Sequence, residues 1–299
     1  MIERGHHDEA DLHEHDRGLS HDLPTLVSRR RLLSFFGGAG LAALTGGAMA
    51  GCGDGSAADD TAAPAGSATA GGAGTPGTGT PGTGTSGSAA AAGTKIPQET
   101  AGPFPGDGSN GVNILNRSGV VRSDITGSFA TASAVARGVP LRMVLTVLDT
   151  ANGSAPLAGA AVYVWQCDRE GRYSMYSPGV EAENYLRGVQ ETDAAGRVTF
   201  ASIYPGAYPG RWPHIHFEVY PSLAKAGTAS DRLRTSQLAL PEDASRLVYA
   251  TEGYGASPAN LARTSLSRDM VFRDGYSLQM ATVTGTTTAG MTATLNVPV

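Results

Sequence analysis

Cysteine is nearly absent: the chain of 299 residues has two, Cys52 and Cys167. Cys52 has a separate explanation below, so Cys167 stands alone, which argues against a disulfide framework and leaves size and packing to hold the fold. Concentrated positive charge is missing as well. The net charge is −5 and no basic stripe runs along the chain, which argues against a nucleic-acid partner. Long apolar runs are scarce. One stretch, 32–50, is barely long enough to cross a bilayer, and five glycines with Ser34 and Thr45 weaken it as a helix. Helical periodicity is scarce after residue 95.

What is present divides into three parts. Residues 1–52 have the layout of an export signal. Arg29, Arg30 and Arg31 after Ser28 open the apolar stretch and resemble a twin-arginine signal, with Leu32 where Phe is commoner. The stretch ends Met49-Ala50-Gly51-Cys52, which is similar to a lipoprotein cleavage box, with Met49 in place of the usual Leu. That resemblance makes Cys52 the lipidated terminus and places the mature protein in the cell envelope, at the outer face of the cytoplasmic membrane. Ordinary cleavage after an alanine would release it instead. Residues 53–94 are Gly, Ala, Ser, Thr, Pro and Asp, with too little apolar surface to offset the entropy of ordering. As a flexible coil this linker spans about 30–40 Å. Residues 95–299, roughly 205 in number, suffice for one domain with a sizeable core.

That domain reads as all-β. The segments 140–149, 159–167, 197–204, 213–220 and 234–240 are rich in β-branched and aromatic residues and are separated by Gly, Asn and Pro. Residues 276–284 and 291–297 predict a hairpin around Gly285–Gly290. Many short strands at close spacing predict an antiparallel sandwich of two sheets. Short peripheral helices are expected at 241–249 and 258–266.

Histidine is unevenly placed. Of seven, five lie before the signal in a solvated tail, and the domain keeps His214 and His216. Residues two apart in a strand share a face, so both imidazoles project together while Ile215 and Phe217 face the core. Imidazole pairs suit zinc, copper, iron or nickel, and a bare pair is as often two structural histidines. Tyrosines narrow the choice. The turn-rich segment 205–210 brings Tyr208 to the mouth of the histidine strand, and Tyr173 follows the strand ending at Trp165-Gln166. A phenol with a pKa of about 10 is a poor ligand for divalent ions but is ionised by a hard trivalent cation. Two tyrosines with two histidines therefore select iron(III). With ten tyrosines in the chain, position in sequence alone does not choose these two.

Taken together, Val164-Trp165-Gln166, Gly171-Arg172-Tyr173, Pro205-Gly206-Ala207-Tyr208-Pro209 and Pro213-His214-Ile215-His216-Phe217 resemble the intradiol ring-cleavage dioxygenases, the protocatechuate and catechol dioxygenases in particular. Thr100-Ala101-Gly102-Pro103-Phe104 and 116–125 are similar to that family's leading arm. The likeness covers most of 95–299 and none of 1–94. It implies an iron(III) enzyme that opens aromatic diols with O2, between the two hydroxyl-bearing carbons, to muconate-type dicarboxylates. Tyr173, Tyr208, His214 and His216 would be the metal ligands, with Tyr208 leaving when substrate binds. Arg211 would lie beside the substrate ring, Gln237 behind the ligands, and Trp165 in the packing nearby. Arg-Trp-Pro-His departs from the family's commoner Arg-Pro-Ala-His, and the short link between Tyr208 and His214 implies a more open site. In a continuing strand Arg211 would face away from the histidines, unless Pro213 breaks the register.

Two other readings fit the residues: another metalloenzyme built on His214 and His216, or a tethered β-sandwich that binds without catalysing. Tyrosinate-to-iron colour discriminates them. The substrate diol and the oligomeric state, homo-oligomer included, stay open.

Overall fold

The computed structural model describes residues 93–299. The expected export signal, Cys52, the five leading histidines and nearly all of the expected linker lie outside the described residues.

Among the described residues nine strands build two sheets. They are β1 (Pro140–Asp149), β2 (Ala155–Pro156), β3 (Ala161–Trp165), β4 (Arg187–Glu191), β5 (Arg197–Ile203), β6 (His214–Tyr220), β7 (Arg234–Ala239), β8 (Thr282–Thr286) and β9 (Gly290–Pro298). One sheet runs β2-β1-β9-β8, with β5 also pairing β1, and the other runs β4-β3-β6-β7. The expected all-β, two-sheet architecture is present. Its pairings are antiparallel except for β1 with β9, which run parallel over Leu141–Leu148 and Met291–Pro298.

Local pattern explains the elements. In β1, Leu141, Met143, Leu145 and Val147 are buried while the residues between them are more exposed, the period of a strand with one face on the core. Strands β3 and β6 are buried along their whole length because both their faces are covered. Two strands escaped the sequence reading. Strand β2 is only two residues long, and β4 opens with Arg187, whose charge hides its β character. The strand expected from Tyr276 starts only at Thr282, because the amides of Gln279 and Met280 both donate to the Tyr276 carbonyl and close a turn. Two short helices, α1 (Glu242–Tyr249) and α2 (Ser257–Ala262), flank the sandwich; Pro258 sits in the first turn of α2, where its missing N–H costs nothing.

The main core lies between the sheets and includes Val162, Val164, Ile215, Phe217, Met143 and Phe200. Full burial of side chains such as Ile215 and Phe217 contributes about 1.5–3 kcal/mol each. This also locks the register of β6, since a one-residue slip would turn the histidines into the core. A second cluster, with Tyr163, Trp165, Tyr173, Ile114 and Phe104, covers the opposite face of the β3–β6 sheet. The arm 96–125 reaches this face by laddering on the domain, Ile96 N–H donating to Pro298 and Glu99 N–H to Thr235. Cys167 is buried and free.

Candidate active site

Strand β6 presents His214 and His216 on the face turned away from the main core. Across the sheet, His216 lies between Trp165 on β3 and Gln237 on β7. Trp165 stacks flat on the His216 ring, with centroids 4.8 Å apart and planes 11° apart, so it both packs the sheet and holds the imidazole. The two Nε2 atoms come within 3.1 Å of each other. His214 Nδ1 lies 2.5 Å from the Trp212 carbonyl, so that nitrogen carries the proton and Nε2 keeps its lone pair turned inward. His216 Nδ1 is buried without a hydrogen-bond partner.

Two loops bring the tyrosines. After β3 the chain turns tightly over Asp168–Arg172, where Asp168 accepts from the Glu170 and Arg172 amides, the Arg172 side chain and the Tyr185 hydroxyl. Gly171 closes this turn with φ 85°, and a Cβ there would stand 3.2 Å from Tyr208 Cβ, so glycine both permits the turn and admits the second loop. Tyr173 thus reaches 3.4 Å from the Tyr208 hydroxyl and 3.5 Å from His214 Nε2. Tyr208 Oη lies 3.1 Å from His214 Nε2. Tyr173, His214 and His216 are 2%, 2% and 3% exposed, whereas Tyr208 keeps part of its surface in solvent.

Four donor atoms, two phenol oxygens and two imidazole nitrogens, are therefore clustered around His214 Nε2, each of the other three within 3.1–3.5 Å of it. Ligands about 2.0–2.1 Å from a common ion stand about 3–3.4 Å apart, and the spacings here fall close to that range. Burial, with Arg211 alongside, pushes His214 down to about 3. Burial, then His214 and Arg211, pushes His216 well below its ordinary range, so both rings are neutral and able to coordinate. Burial raises Tyr208 to about 12, and burial with Tyr208 alongside raises Tyr173 well above an ordinary phenol. Without a metal both tyrosines stay protonated at neutral pH. Among the described residues no three His, Cys, Asp or Glu side chains are grouped to hold a metal, so an ion in this cluster must recruit the phenols. The donor set therefore fits a hard trivalent cation such as iron(III).

Arg211 lies outside β6, which begins at His214, and the break at Pro213 frees it from the strand register. Its Nη1 comes 3.3 Å from His214 Nε2, its Nη2 donates to Gln237 Oε1 at 2.6 Å, and its Nε donates to Asp269 at 2.9 Å. Burial alone would weaken its charge, but Tyr208 and Asp269 beside it more than offset this and hold its pKa above the ordinary arginine value. Gln237 in turn donates to the Thr100 carbonyl at 3.0 Å, tying the leading arm to the site. All six residues singled out in the domain, Tyr173, Tyr208, Arg211, His214, His216 and Gln237, are thus brought together.

Two residues went unnoticed in the sequence. Asp269, completely buried, lies 58 positions from Arg211 in an irregular loop, and no local motif marks it. Arg187, also completely buried, donates to the Pro105 and Ser174 carbonyls and so ties the leading arm to the Tyr173 loop.

Comparison with known proteins points the same way. A family model described as a dioxygenase matches residues 126–224, the segment that carries both tyrosines and both histidines. The chain is 41% identical over 105 residues to the protocatechuate 3,4-dioxygenase beta chain of Burkholderia cepacia, covering 30% of this chain and 44% of that one. It is 31% identical over 109 residues to the hydroxyquinol 1,2-dioxygenase of Rhizobium sp. (strain MTP-10005), covering 33% of this chain and 36% of the relative. The chain thus spans less than half the length of these curated relatives. Among solved structures, an intradiol ring-cleavage dioxygenase from Tetranychus urticae superposes with a TM-score of 0.50 at 26% identity, over 60% of this chain and 86% of that one. These homologues and structural neighbours are ring-cleavage dioxygenases.

Proposed function

We propose that this protein is an iron(III) dioxygenase that opens a catechol-type ring between its two hydroxyl-bearing carbons, adding both atoms of O2 to give a muconate-type dicarboxylic acid. The observation that carries this reading is that Tyr173 Oη, Tyr208 Oη and His214 Nε2 lie 3.1–3.5 Å from one another and His216 Nε2 lies 3.1 Å from His214 Nε2, with the Arg211 guanidinium at their edge.

A bound ferric ion supplies Lewis acidity and a template for the two diol oxygens. The chain's own residues divide the remaining work. Tyr173, His214 and His216 are sealed from solvent and stay in place. Tyr208 is partly exposed and is the ligand free to move aside. Its phenol oxygen, beside the point where the diol would enter, is the group placed to take a proton from it. Arg211 cannot ligate a cation, but its always-charged fork stabilises negative charge developing on the ring. Gln237 fixes that fork from one side.

The test is metal content, colour and oxygen uptake of the full chain produced with ample iron. About one ferric ion per chain is expected for a mononuclear four-ligand site, with a visible tyrosinate band and oxygen consumption on a panel of catechol, protocatechuate and hydroxyquinol. A colourless protein holding zinc or no metal overturns the reading.

From the sequence of residues 1–94 we further propose export through the twin-arginine route and lipid attachment at Cys52. A route that carries folded protein would let the ion be bound by Tyr173, Tyr208, His214 and His216 before crossing. This supports an address at the outer face of the cytoplasmic membrane.

A further inference from the structure

We propose that Asp269 is the positioning residue that aims Arg211 at the reacting ring; this rests on the ring-cleavage reading above. The carboxylate is completely buried. Its Oδ1 is anchored by its own loop, accepting from the amides of Val271 at 2.9 Å and Phe272 at 3.3 Å. Its Oδ2 faces the site and accepts from Arg211 Nε at 2.9 Å and from the Trp212 amide at 2.6 Å. The guanidinium is therefore held on two sides, by Asp269 at Nε and by Gln237 at Nη2. Only Nη1 turns to the cluster of four ligand atoms, 3.3 Å from His214 Nε2.

The same carboxylate reaches the ligands by a second route. Asp269 fixes the N–H of Trp212, and the carbonyl of Trp212 accepts from His214 Nδ1–H. One buried anion thus sets both the aim of the ring-facing cation and the backbone that orients a histidine. Asn at this position keeps the shape but loses the charge and one acceptor oxygen, so its NH2 must face either the Arg211 and Trp212 donors on the Oδ2 side or the Val271 and Phe272 amides on the Oδ1 side. The guanidinium is then free to turn about its last torsions. Misplacing a positioned group by about 1 Å costs on the order of a hundredfold in rate.

The full chain, loaded with iron, is compared with Asp269→Asn, Arg211→Leu and the double variant. Iron content, the visible band, kcat and KM for catechol are measured in each. Asp269→Asn is expected to keep its iron and band, to lose about tenfold to a hundredfold in kcat, and to change KM by less than about threefold. The double variant is expected to be no slower than Arg211→Leu, because residues acting as one unit do not add. Wild-type kcat in a folded Asp269→Asn variant, or fully additive losses, overturns the proposal.

A second measurement needs neither turnover nor a folded Asp269 variant. In 15N-arginine-labelled, metal-free wild type, the Arg211 Nε–H, identified by its absence in Arg211→Leu, is expected to exchange slowly with solvent. Fast exchange in the folded wild type overturns the proposal. If no diol is consumed by the wild type, the ring-cleavage reading falls, while the exchange rate still decides whether Asp269 holds Arg211.

Discussion

Replacing Tyr208 with phenylalanine removes one oxygen and leaves the ring. The ring packs edge-on to Tyr173 at 5.9 Å and to His214 at 5.6 Å, contacts that phenylalanine keeps. The lost hydroxyl has neighbours at 3.1 Å and 3.4 Å, His214 Nε2 and Tyr173 Oη. A net loss of about 0.5–1.5 kcal/mol in the metal-free protein follows for such bonds. For a domain of this size that is a drop in Tm of roughly 2–4 °C per kcal/mol. The chemical cost is far larger. In the proposed mechanism the variant lacks the phenol oxygen that accepts the diol proton, and a positioned base is worth about 100- to 10,000-fold in rate. Melting of the metal-free protein by circular dichroism, ferric content, the visible spectrum and oxygen uptake with catechol separate the two effects. The expected outcome is a small change in melting, weaker iron retention or a shifted band, and a large loss of oxygen uptake. Unchanged spectrum and turnover in Tyr208→Phe would refute Tyr208 as a ligand and base together.

Arg211→Leu should retain iron and colour and still change its spectrum on adding catechol, yet lose on the order of a hundredfold or more in turnover, since it removes one preorganised electrostatic stabiliser; stopped-flow spectra and oxygen uptake check this. The same variant should be less resistant to acid. Burial pushes Asp269 up, but Arg211 and the Trp212 and Val271 amides more than offset it and hold it below the ordinary carboxylate range. Its stabilisation is therefore present above the unfolded-state pKa and lost as pH falls through the depressed folded value. Without Arg211 that loss should begin at higher pH in an acid-unfolding titration. Glu218 acts with the opposite sign. Burial and nearby Asp107 raise it to about 7, despite Arg232 and Tyr220 bonding to it, so ionising it costs stability as pH climbs from the ordinary glutamate range towards 7. Glu218→Gln should flatten that part of the stability–pH curve, and an unchanged slope in urea titrations would contradict the assignment. Replacing Arg29 and Arg30 with Lys should block export, and Cys52→Ala should release the protein from the membrane fraction, as cell fractionation would reveal.

The strand pattern was legible in the sequence wherever a strand buries one face or both with β-branched and aromatic residues. Strands β1, β3, β5, β6 and β7 carry that pattern. Strand β4 does not, because its leading Arg187 is buried through hydrogen bonds to Pro105, Ser174 and Tyr163 rather than through apolar character. The parallel pairing of β1 with β9 was also invisible, since alternation along one strand carries no information about the direction of a partner 150 residues away.

The site divides along the same line. A strand's two-residue period is a property of the backbone, so the sequence by itself determined that His214 and His216 share a face and that Ile215 and Phe217 oppose them. Local turn chemistry placed Tyr173 and Tyr208 just beyond their strands. The metal preference followed from the chemistry of phenol and imidazole, once these four were chosen. The choice itself needed the family's motifs, since nothing local distinguishes two tyrosines among ten. Only the tertiary structure decided that the four donor atoms cluster around His214 Nε2, because their loops are brought together by packing across β3 and β6 and by the close approach that Gly171 allows. It also decided where Arg211 points. In sequence Arg211 is out of register with the histidines; in the fold it is turned inward by Gln237, on a neighbouring strand, and by Asp269, on a distant loop. Long-range electrostatic pairs of this kind have no periodicity to leave in a sequence, so their existence depends on the fold that brings the charges together.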